Sequence, residues 1–167
     1  MKKILLLAAL AFGCISQQFA QEATPLFPEE NQVFLKEMED TLALLAYAVI
    51  HDSLPEHRFG ACREMIPKLV KALKVEHSFQ YPFERLKSVS IQYPRDSSFR
   101  IFTWQLYVDK DDYRYYGAIQ MNTPGLKLFP LIDRSFKIED AEHQALSPEE
   151  WYGSVYYNLL DVEGPQG

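Results

Sequence analysis

His51-Asp52 and Glu56-His57 stand close together in the chain and bring two imidazoles and two carboxylates, groups that hold zinc or move protons in hydrolysis. Their spacing argues against both uses. A His-Glu-x-x-His helix sets two imidazoles on one face, and no such arrangement occurs here. Asp52 and Glu56 equally suit the exposed ends of two helices. Only a pocket gathering His51, Asp52 and His57 would favour hydrolysis. Asp109, Asp111 and Asp112 cluster the hard oxygens that calcium prefers, but they lack the glycine and the bidentate glutamate of an EF-hand loop. A solvated hairpin turn accounts for them. Glu149 and Glu150 follow Ser147-Pro148 and belong to a helix cap, not to a glycosidase pair. No Gly-x-Ser-x-Gly elbow, phosphate loop or dinucleotide fingerprint is present. No catalytic residue, metal ligand or cofactor is therefore assigned.

Aromatic side chains are the remaining chemical signal. Tyr107, Tyr116, Trp151, Tyr152, Tyr156 and Tyr157 exceed what one small core requires. Aromatic faces stack on sugars and grip peptides, so these six are the candidate ligand-binding residues. The competing explanation is that aromatics simply favour half-buried sheet positions.

The compartment is set by the beginning of the chain. Lys2-Lys3, the apolar run Ile4–Gly13 and the small residue Ala20 read as a secretory signal peptide over residues 1–20, with residues 21–167 as one domain. The apolar run is shorter than the roughly 20 residues that span a bilayer, and no later run approaches that length. Export to the periplasm or medium is expected. Lipid anchoring through Cys14 is the alternative, although Ala11 and Phe12 fit a lipoprotein signal poorly. Cleavage would move the formal charge from −6 to −8, since two lysines and no acidic residue leave with the leader. An acidic chain without a basic stripe is a poor binder of phosphate backbones, so nucleic acid is excluded as a partner. Cys62 would then have no disulfide partner within the chain. It lies on an apolar helical stripe and reads as a small buried hydrophobe.

The elements that position these residues fall into a helical first third and a strand-rich remainder. Phe34, Met38, Leu42, Leu45 and Val49 predict a helix over 29–51, with Leu35, Leu44 and Ala48 widening its apolar face. Ser53-Leu54-Pro55-Glu56 predicts a capped start to a second helix over 54–75, broken or kinked near Ile66 by Pro67. A short link makes the two an antiparallel hairpin. Alternation then predicts strands over 87–93, 99–108, 113–121, 126–132 and 153–162. The expected register sets Val108 against Tyr113, Leu106 against Tyr115, Trp104 against Gly117 and Phe102 against Ile119. It continues with Met121 against Leu126 and Ile119 against Leu128. A slip of one residue would turn Arg114 and Gln120 toward the core. The fold class is α+β: a helical hairpin packed on an antiparallel meander of four to five strands.

The runs Phe99-Arg100-Ile101-Phe102-Thr103-Trp104, Tyr113-Arg114-Tyr115-Tyr116-Gly117, Pro130-Leu131-Ile132-Asp133 and Trp151-Tyr152-Gly153 with Tyr156-Tyr157 resemble an uncharacterised family of bacterial exported proteins. The resemblance covers roughly residues 79–160, transfers no catalytic residue, and implies an exported α+β protein whose sheet continues past the Trp-Tyr-Gly strand. This chain then reads as a short or truncated member. Three function classes follow, in this order: a non-catalytic exported envelope or accessory protein; a glycan- or peptide-binding module using an aromatic sheet face; and a hydrolase. A protein or glycan is the expected partner, and a free edge on the 153–162 strand would allow association through that edge.

Overall fold

In a computed structural model of the protein, residues 27–110, 112–140, 142–145, 147, 149–155 and 159 are described. The expected leader lies outside them, as does most of the strand expected at 153–162. Helix α1 spans Glu29–His51, with Glu29 and Glu30 in its first turn, where the helix dipole favours acids. Leu35, Leu42, Ala46 and Val49 are buried along one side. Leu44, expected on that face, is instead 75% exposed. Two positions after Leu42, it sits about 200° further round the helix.

Helix α2 spans Pro55–Leu73 and packs beside α1. The expected Ser53 cap is not used. Leu54 is the N-cap without a side-chain bond, and Asp52 Oδ1 accepts the Leu54 N–H at 3.0 Å. That turn leaves Pro55 at the start of the helix, where its missing N–H is harmless. Of the kink or break expected near Ile66, the break does not occur, because α2 runs on through Pro67. Pro67 and Arg63, whose carbonyl loses its donor, both face solvent, so water can serve that carbonyl.

Among the described residues one sheet forms from β1 (Ser90–Gln92), β2 (Phe99–Asp109), β3 (Asp112–Met121) and β4 (Leu128–Leu131), antiparallel and in that order. Helical hairpin and antiparallel meander together make the expected α+β fold. Both helices contact β2, and Phe102, Trp104 and Leu106 are buried against them.

The strand register differs from the expectation by one residue. Asp109 and Asp112, expected in the loop, pair with each other, and a bulge between Tyr107 and Asp109 shifts everything beyond it. Trp104 therefore lies opposite Tyr116 rather than Gly117, and Phe102 opposite Ala118. The shift persists in the next pair, where Ile119 meets Phe129 rather than Leu128. Arg114 and Gln120 thus take the helix-facing side, the placement the sequence pattern disfavoured.

Polar partners stabilise that placement. Gln120 sits opposite Arg100 and accepts its Nε at 2.8 Å. Arg114 lies near the exposed end of the sheet, its guanidinium 5.4 Å from the Phe59 ring centroid. Gly117 admits Leu131: a Cβ there would stand 2.9 Å from Leu131 Cδ1 and 2.8 Å from the Phe102 carbonyl.

Two further polar latches tie the helices to the sheet and its approach. Buried Arg58 of α2 donates to the Tyr107 and Val108 carbonyls at 2.7 and 3.0 Å. These lie beyond Thr103, the last residue that β1 pairs with. Buried Glu39 of α1 accepts the Arg85 backbone N–H at 2.6 Å and the Tyr81 hydroxyl at 2.7 Å. After β4, Asp133 makes an isolated parallel bridge to Trp151. Gly153–Val155, the described start of the last expected strand, is not a strand.

Candidate functional site

Alternation of side chains across each ladder separates an inner face, under the helices, from an outer one. The inner face of β3 carries Arg114, Tyr116, Ala118 and Gln120; its outer face carries Tyr113, Tyr115, Gly117, Ile119 and Met121. The slip in register therefore turns the more apolar side of β3 outward. Neighbouring strands extend the outer surface. Phe99, Ile101, Thr103, Gln105 and Tyr107 come from β2, Phe129 and Leu131 from β4, and Ser90 and Gln92 from β1.

None of these outer residues is charged. An antiparallel sheet with one solvated face ordinarily shows polar residues there. Here the face stays open at Phe129, 52% exposed, and at Tyr113, 38% exposed. Ile132 and Phe136 continue the exposed apolar surface just after β4. The segment after β4 covers one end of the face. Gly153, at φ 76°, lies so close to Tyr115 that a Cβ would stand 2.5 Å from its ring. Thr103 is fully buried beside Gly117 and Leu131.

The six aromatic candidates do not form one patch. Tyr107 pairs with Tyr113 on the outer face, their ring centroids 5.5 Å apart. The Arg58 guanidinium lies 4.7 Å from the Tyr107 ring at the rim. Tyr116 belongs to the inner face, stacked on Trp104 at 5.8 Å and 9°. Trp151 is half-buried at the bridge to Asp133, and its carbonyl accepts the Arg134 N–H at 2.8 Å. The Tyr152 hydroxyl accepts from the Ser147 N–H and donates to Glu150 Oε2 at 3.0 Å. Tyr156 and Tyr157 lie outside the described residues. Sequence reasoning missed Tyr113, Tyr115 and Phe129 as companions of Tyr107, because the bulge that reverses the faces leaves no composition signal.

The other candidate chemistries find ordinary partners. His57 Nδ1 lies 3.3 Å from Asp52 Oδ1. The Leu54 N–H is the main reason the Asp52 carboxyl titrates below its ordinary range. The His51 ring instead lies against that of Tyr47, with centroids 4.3 Å apart and planes tilted by 33°. Among the described residues no three His, Cys, Asp or Glu side chains gather as for a metal ion. Cys62 is buried, and burial pushes its thiol pKa up, away from the reactive thiolate. Trp104 and Tyr116 beside it act in the opposite direction. Trp104 Nε1 is buried without an acceptor at hydrogen-bonding geometry. No helix among the described residues is long and apolar enough to cross a membrane.

Comparison with protein-family models, with curated proteins and with solved structures returns no match.

Proposed function

We propose that this protein is an exported, non-catalytic binding module that holds an apolar polypeptide segment on the outer face of its sheet. The observation that carries the reading is the uncharged outer face, with Tyr113 and Phe129 open to solvent. A glycan fits less well, because the only side-chain amides there are Gln92 and Gln105 and sugars need hydrogen-bonding groups beside the rings. Addition of a partner strand at the described edges is also disfavoured. β1 has three residues, and β4 has four with Pro130 among them. Export rests on Lys2-Lys3 and the apolar run behind them.

Selection of displayed random peptides on the mature protein tests the binding reading. Enriched peptides should carry apolar residues two apart and protect β3 and β4 amides from hydrogen exchange. Tyr113→Ser with Phe129→Ser should weaken them at least about tenfold, while Leu44→Ser on α1 should not. Enrichment that survives the double substitution, or protection confined to the helices, would overturn it.

A further inference from the structure

A cavity of about 600 Å³ opens between the end of α2, the following 3-10 turn Ser78–Gln80 and the β3–β4 connection. It lies at the end of the sheet beside the β3–β4 connection and shares Met121 with the outer face. Two of its lining residues, Ser78 and Gln120, are themselves buried, and Phe79 lies beside them. Directly behind these three is Arg100, with no exposed surface. Its Nη2 donates to the Ser78 carbonyl at 2.8 Å, its Nε to Gln120 Oε1 at 2.8 Å, and its guanidinium stands 5.2 Å from the Phe79 ring centroid. Nη1 donates to the Tyr81 carbonyl and the Tyr93 hydroxyl.

All these partners are neutral. Among the described residues Arg100 makes no ion pair. Burying a cation without a counter-charge is costly, and its field is weakly screened in the direction of the cavity. At the rim Lys74 adds to that field, while Glu76 and the C-terminal end of α2 oppose it.

The floor also has a hydrogen-bond donor that can be exchanged: Gln120 Nε2 donates to Ser78 Oγ at 3.0 Å and, over a longer distance, to the Leu73 carbonyl at 3.3 Å. The Leu73 carbonyl accepts from both Ser78 Oγ at 2.8 Å and Gln120 Nε2 at 3.3 Å. Gln120 Nε2 can therefore turn one hydrogen toward a ligand while Leu73 keeps a donor. Val75, Met121 and Leu126 give the rest of the cavity an apolar lining.

We propose that this cavity binds a small monocarboxylate with an apolar tail. Its carboxylate accepts the Gln120 Nε2 hydrogen that Leu73 gives up, in front of Arg100, while Ser78 Oγ keeps the Leu73 carbonyl satisfied, and its tail lies along Val75, Phe79 and Leu126. The same chemistry is carried by a short free acid and by the C-terminus of a peptide ending in an apolar residue.

Amide chemical shifts followed during titration separate these possibilities. The probes are hexanoate and N-acetyl-alanyl-leucine, with 1-hexanol, hexylammonium and the peptide amide as controls. The proposal expects shifts at Ser78, Phe79, Gln120 and Met121 with at least one carboxylate, about tenfold weaker with its neutral control. The better carboxylate identifies the source. Gln120→Glu supplies Arg100 with an internal counter-charge at nearly unchanged shape and should abolish the response in a folded protein. Ser78→Ala should weaken it several-fold. Equal response to hexanoate and 1-hexanol, or no response to either carboxylate at these amides, would overturn the proposal. So would undiminished binding by folded Gln120→Glu.

Discussion

Arg100 and Gln120 face one another across β2 and β3, joined by an Nε–Oε1 hydrogen bond of 2.8 Å in the buried layer beneath the helices. Gln120 completes the contact by donating to Ser78 Oγ at 3.0 Å and to the Leu73 carbonyl at 3.3 Å. The pair thus binds both the segment after α2 and the sheet. Removing the amide strands a buried cation donor, which is costlier than the loss of one ordinary hydrogen bond. Gln120→Leu should therefore lower unfolding stability by about 3 kcal/mol in urea titration. A loss below about 1 kcal/mol would show that Arg100 does not depend on it.

Trp104 supports the inner face from the middle of β2, stacked on Tyr116. Trp104→Ala should cost about 3–5 kcal/mol, as large-to-small core substitutions do. Trp104→Phe should recover more than half of that loss, because it also removes an indole N–H that has no acceptor. Chemical denaturation of the two variants gives the ratio. Equal losses would mean that the indole N–H is satisfied in solution.

Tyr81 links the loop before the sheet to Glu39 on α1. Burial, then the hydrogen bond to Glu39, holds its hydroxyl pKa up to about 12 from an ordinary 10.0. The folded state thus keeps this proton more tightly than the unfolded state. Its contribution is complete below pH 10.0 and falls as pH rises toward about 12. Melting temperatures across that window should decline more steeply for the native protein than for Tyr81→Phe. Parallel declines would assign the alkaline loss to other groups.

Gly153 fastens the segment after β4 against Tyr115, with a positive φ and no room for a Cβ. Gly153→Ala should release that segment without unfolding the sheet. Hydrogen exchange at the Arg134 amide, bonded to the Trp151 carbonyl, should accelerate while exchange in the β2–β3 ladder stays unchanged. Unchanged protection at Arg134 would show that the segment is held elsewhere.

Apolar spacing of three and four in the first third, followed by alternation, was enough to specify two helices and an antiparallel meander. Those patterns record which residues need burial, and helix and strand each satisfy them with their own period. The bounds of α1 were legible for that reason. The start of α2 was not, because Ser53 and Asp52 both suit the bend and only the actual turn shows that Asp52 accepts the Leu54 N–H. The strand faces were decided by tertiary structure. Counting apolar pairs put Ile119 and Tyr115 inside and Gln120 outside. A bulge near Val108 reversed β3, and Arg100, Ser78 and the Leu73 carbonyl met the polar demands of Gln120. Those partners lie up to 47 residues away in the chain, so their agreement is invisible to any local pattern. The same reversal separated Tyr107 from Tyr116 and joined it to Tyr113, because one extra residue in a strand of period two exchanges every side chain between faces.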